Sequence, residues 1–222
     1  MKFSSLLKTS GLFVAALSFV QCSSSTKTTA TTGTAPPDSG TASAGCQAYC
    51  DAIMTNCTGG ETPGTNQQYL TKADCIAVCS AFPVGTSSDT SGNTLGCRTY
   101  HAHLAGSDAS NAAVTHCPHA GPGGDGVCSS SSADFCDEYC QIVDKFCVGT
   151  YSIYSSQGDC LTTCKATPAT GHFTISTSIQ ASDGQSCLLF HAQEAAVDPT
   201  RCTDDLSKQT ADAGTGGSVT CH

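Results

Sequence analysis

The stretch CQAYCDAIMTNCTG, starting at Cys46, can be laid over CDEYCQIVDKFCVG, starting at Cys136. The match extends to every later cysteine. One set of eight is Cys46, Cys50, Cys57, Cys75, Cys79, Cys97, Cys117 and Cys128. The other is Cys136, Cys140, Cys147, Cys160, Cys164, Cys187, Cys202 and Cys221. Intervening residues number 3, 6, 17, 3, 17, 19 and 10 in the first set and 3, 6, 12, 3, 22, 14 and 18 in the second. The short spacings agree and the long ones drift, as loops do. Tyr49 corresponds to Tyr139, Tyr69 to Tyr154, Asp74 to Asp159 and Pro83 to Pro168, and CRTYHAHLA lies over CLLFHAQEA. The chain reads as an internal duplication. Module 1 spans 46–128, SSSSADF at 129–135 links, and module 2 spans 136–222.

Within each copy the cysteines share a helical face. Cys46, Tyr49, Cys50, Ile53 and Cys57 fall at i, i+3, i+4, i+7 and i+11, the stripe of an α-helix. Cys136, Tyr139, Cys140, Val143 and Cys147 repeat it. A second helix carries Cys75 and Cys79, with Thr71 before it as a cap and Pro83 after it. A third starts near Cys97 with Tyr100, His101 and Leu104, and its twin starts near Cys187 with Phe190 and His191. The expected fold is all-α, small and disulfide-rich, with about three short helices per module joined by long loops. There is no Trp, so cross-links must supplement a thin core. Each bridge contributes roughly 3 kcal/mol by restricting the unfolded chain.

Two helices with paired C-x3-C faces resemble the α-hairpinins, in which such helices lie antiparallel under two staples. That resemblance implies Cys46–Cys79 with Cys50–Cys75, and Cys136–Cys164 with Cys140–Cys160. Eight cysteines admit on the order of a hundred pairings. For the rest the expectation is that Cys57 joins Cys97, Cys147 joins Cys187, and the tails close through Cys117–Cys128 and Cys202–Cys221.

Cys22 belongs to neither set. It follows Lys2, Lys8 and the apolar run GLFVAALSFV, residues 11–20. That run is half the roughly 20 residues needed to span a bilayer, so 1–21 reads as an export signal. A cysteine there suggests lipid attachment, its thiol taking a diacylglycerol at the membrane surface. Before it stand Phe19, Val20 and Gln21, where a lipid-attachment signal favours Leu and then two small residues. The competing reading, ordinary signal-peptidase cleavage, needs small-x-small, which Phe-Val-Gln does not offer either. Residues 22–45 are rich in Ser and Thr and too poor in apolar side chains to fold; they read as a flexible tether. Dense cysteines after an export signal read as a disulfide framework in an oxidising compartment. The net charge is −9, and no basic patch offers a surface for nucleic acid.

Seven histidines invite a metal hypothesis. YHAH supplies His101 and His103, and HCPH supplies His116 and His119. In the second copy their positions hold His191, Gln193, Arg201 and Asp204. A shared metal site would keep its ligands in both copies, and only one His survives. His101 therefore reads first as a half-buried side chain hydrogen-bonded to a loop, with a copper or zinc site special to module 1 as the alternative. No C-x-x-C or C-x-x-C-H occurs, GPGGDG lacks the Lys of a phosphate loop, and no serine sits in a Gly-x-Ser-x-Gly elbow. No enzyme activity and no cofactor are expected.

Around NTLGCRTYHAHLA and HCPHAGPGGDGVC the chain resembles a family of Cys-rich tandem-repeat predicted lipoproteins of soil-dwelling Gram-negative bacteria, which brings no activity with it. The resemblance implies lipidation at Cys22. Under Gram-negative sorting, Ser23 after it implies an outer-membrane anchor. The expected protein is a lipid-anchored module of the cell envelope that binds an unidentified protein or envelope ligand or plays a structural part. The alternatives are a secreted form and a periplasmic metal-binding protein using the histidines of module 1.

Overall fold

The paired C-x3-C faces meet as two antiparallel helical hairpins. The computed structural model describes residues 43–58, 66–107, 112–131, 134–169, 171–175 and 184–207. The expected signal at 1–21, Cys22, nearly all of the expected tether and Cys221 lie outside them. Helix α1 is Ala44–Asn56, and Ser43 caps it by accepting the Cys46 N–H at 3.2 Å. Helix α2 is Lys72–Cys79, opened by a capping box between Thr71 and Asp74. Cys46 is bonded to Cys79 and Cys50 to Cys75. Between them Tyr49 and Tyr69 meet edge to face, their hydroxyls 2.9 Å apart. The second hairpin is α5, Cys136–Phe146, and α6, Gln157–Ala166. It carries Cys136–Cys164, Cys140–Cys160 and a Tyr139–Tyr154 contact of 2.8 Å. All regular structure among the described residues is helical.

Helix α3, Leu95–Ser107, runs parallel to α1. Leu95 lies over Gly45 at the start of α1, and Asn56 at its end donates to the Ala102 carbonyl. This register corrects the expected Cys57–Cys97 bridge. Cys57 lies level with the far part of α3, while Cys97 sits five residues back along the helix from Ala102, about 7 Å of rise. Cys57 instead meets Cys117 on helix α4, Ala112–Ala120, and Cys97 meets Cys128, so the expected Cys117–Cys128 loop does not form. Helix α4 itself went unforeseen, because Pro118 and the absence of a C-x3-C pair hide it. In the second half, helix α7, Gln185–Val197, is followed by a π-helical turn, Cys202–Leu206. Cys147 joins Cys202, which overturns both Cys147–Cys187 and Cys202–Cys221. Cys187 is also disulfide-bonded.

The halves share one core. Helix α7 packs on both α5 and α2. Phe135, inside the expected linker 129–135, is buried and meets the edge of Phe173. Gln68 donates to the Phe173 carbonyl, and Asn93 and Gln141 join α3's entry to α5 at 2.9 Å. Buried cystines, Tyr49, Tyr69, Tyr139, Ile53, Ile142, Leu188 and Leu189 form the interior.

Two predictions follow from this architecture. Peptide mapping without reduction is expected to find Cys57–Cys117, Cys97–Cys128 and Cys147–Cys202, and, by the same order in the second half, Cys187–Cys221. The second concerns Glu138 in the first turn of α5. It is fully buried, accepts the Ser130 N–H at 2.8 Å and leaves Oε2 unpartnered. Burial pushes its pKa up from 4.5 to about 7, against the pull of Ser130 and Arg98. Between those values the folded state keeps a proton that the unfolded chain releases, so stability falls as pH rises through that window and levels off above it. Between denaturant melts at pH 5 and pH 8, the native chain should lose on the order of 2 kcal/mol relative to Glu138→Gln, a difference that removes the histidines common to both.

Candidate functional site

Three of the four candidate histidines come together between α3 and α4. His101 lies one turn beyond Cys97, so the Cys97–Cys128 bridge fixes its helix at that level. His116 and His119 lie three apart on one face of α4, with Cys117 between them bonded to Cys57. The result is a triad whose donor atoms all lie within 4.8 Å of one another. His103 is excluded by helix geometry. Two residues from His101, it points to the opposite side, into an apolar groove with Val84, Leu95, Tyr100 and Leu104.

The hydrogen bonds assign the protons. His101 Nε2 lies 3.2 Å from the Thr90 carbonyl, which can only accept, so Nε2 carries the hydrogen and Nδ1 is bare in the neutral ring. His116 Nδ1 lies 2.9 Å from that bare nitrogen. His119 Nδ1 is buried with no partner, while its Nε2 faces Asp125 Oδ2 at 3.8 Å. Burial holds His101 and His119 below the usual imidazole range, and the neighbouring His101 adds to the effect on His119. Both rings are therefore neutral donors near pH 7.

The sequence marks Asp125 only as the acid of GPGGDG, the stretch that lacks the Lys of a phosphate loop. It sits in GGDG with φ of 44°, between Gly124 at 65° and Gly126 at 75°. Left-handed backbone of this kind favours glycine, which makes a carboxylate there informative. The turn is held by Arg98, a buried residue of α3, which donates to the carbonyls of Gly121 and Pro122 and lies 3.8 Å over the Phe82 ring. His172 was also missed: a lone histidine in a loop of the second half, it lies 2.7 Å from Asp125 Oδ2.

Two other groups of candidate ligands occur among the described residues. Cys97 and Cys128 lie close to His101, but their sulfurs are bonded to each other. His191, Glu194 and Asp205 also gather. There His191 Nδ1 donates to Glu194 at 2.9 Å, which leaves its buried Nε2 without a partner, while Arg201 holds Asp205 at 2.8 Å and places a permanent positive charge beside the cluster.

Replacing Arg98 by Ala should cost about 2–4 kcal/mol, since it strips the donors from two buried carbonyls. Chemical denaturation checks this. A loss below 0.5 kcal/mol would show that the turn is held by other contacts.

Comparison with known proteins places residues 14–131 on the family model for the BfoA family C-terminal domain. That stretch covers just over half of the chain, including His101, His116, His119 and Asp125. No curated protein and no solved structure matches.

Proposed function

We propose that this chain, which belongs to the BfoA C-terminal domain family, is a lipid-anchored envelope protein whose disulfide-stapled helical domain binds a divalent transition-metal ion. The observation that carries the metal reading is the triad of His101, His116 and His119, with a buried Nδ1 on His119 that nothing in the protein satisfies. A buried ring nitrogen without a partner costs free energy. A cation supplies the missing partner. Two nitrogens on one tetrahedral zinc lie about 3.3 Å apart, and His101 and His116 need only a small separation from 2.9 Å to reach it. The ion takes the place of the single proton between them.

Imidazole suits zinc and copper(II). The sulfurs of the framework are tied up as cystine, so the donor set is nitrogen alone. His101 already donates its other N–H to a backbone carbonyl, the arrangement that fixes the tautomer of a ligating histidine. In the second half the position matched to His116 holds Arg201, whose permanent positive charge disfavours a cation there. Export signal, Cys22 and tether support a domain held off a membrane by an N-terminal lipid, with Ser23 directing it to the outer membrane. Other envelope proteins are the natural partners.

Purified oxidised protein, dialysed against zinc or copper(II), is expected to retain one ion per chain by elemental analysis. His116→Ala and His119→Ala should abolish retention, and His103→Ala should leave it unchanged. A chain that retains neither metal contradicts the proposal, as does equal loss in His103→Ala. The anchor is tested by metabolic labelling with a fatty-acid probe: native chain labelled, Cys22→Ala unlabelled. Equal labelling would refute it.

A further inference from the structure

We infer that the metal site is completed by the second half of the chain, with His172 acting as a positioning residue that holds Asp125 against His119. This rests on the metal reading above. The family match ends at residue 131, so His172 comes from outside the stretch that carries the triad.

The loop that carries His172 is anchored at the residues that follow. Phe173 is buried, with its ring edge against Phe135 and its carbonyl accepting from Gln68 at 3.0 Å. The Ile175 N–H donates to the Gln67 carbonyl at 2.6 Å. These contacts fix the loop on the first half and leave the His172 ring largely exposed, with its Nδ1 on Asp125 Oδ2. The same oxygen lies 3.8 Å from His119 Nε2, beyond hydrogen-bond distance but near enough to orient the ring electrostatically. One carboxylate oxygen thus lies between an outer and an inner imidazole.

This arrangement meets a specific need of a ligating histidine. If the Nε2–H of His119 is directed at a carboxylate, its Nδ1 is left bare and becomes a stronger donor to the ion. Asp125 alone can rotate away from His119. The His172 N–H restrains it, and neither group uses a donor atom of the triad.

Metal affinity of the full oxidised chain can be measured by competition with a chromophoric chelator, with zinc as probe. Asp125→Asn and His172→Ala are each expected to weaken binding about 10-fold or more, the usual effect of removing an outer partner of a ligand. His172→Gln, which keeps an N–H donor, should recover most of the loss. The double variant should bind no more weakly than Asp125→Asn alone, because His172 acts through Asp125. Unchanged affinity in His172→Ala, or losses that add in the double variant, would overturn the composite site while leaving the triad standing. A native chain that binds no zinc or copper(II) overturns the metal reading and this inference with it.

Discussion

Cys117, between His116 and His119, is bonded to Cys57, and Cys97, one turn from His101, is bonded to Cys128. These two bridges hold α3 and α4 at fixed levels. Helix α4 spans nine residues and contains Pro118, so it is too short to be stable by its own propensity. The parallel packing of α1 and α3 sets the level of Cys57, which sets the level of Cys117 and with it both histidines of α4. The histidine geometry is a consequence of the cross-links more than of a large apolar core.

The hairpins were legible in the sequence because cysteines four apart on a helix share a face, and the resemblance to the α-hairpinins implied the antiparallel pairing of two such faces. The Tyr49–Tyr69 and Tyr139–Tyr154 contacts follow the same stripe. The third-helix pairing was not legible, since it depends on whether α3 runs with or against α1, and spacing carries no information on direction. The triad was half legible. HCPH places two nitrogens on one helical face by itself, but bringing them to His101 takes the Cys57–Cys117 bridge. Asp125 and His172 left no periodic trace. An acid flanked by glycines was the one available sign, and it reads equally well as a turn.

An expected duplication counts against a metal in the sequence, and the two halves differ at just that point. His191 occupies the place of His101, yet its neighbours are Glu194 and an Arg201–Asp205 ion pair. Both halves gather polar groups at the same point beside α3 or α7. In the first they are imidazole nitrogens; in the second they include two carboxylates, one of them paired with the Arg201 guanidinium. The loss of ligands in one copy therefore does not bear on the other, because each cluster is neutralised in its own way.

The central claim is a metal bound by nitrogen alone within a cystine framework. X-ray absorption on the zinc-loaded oxidised protein tests it most directly. The account predicts a first shell of light atoms at about 2.0 Å with imidazole scattering from three rings and no sulfur. A sulfur shell at about 2.3 Å, or a light-atom shell without imidazole scattering, would contradict it.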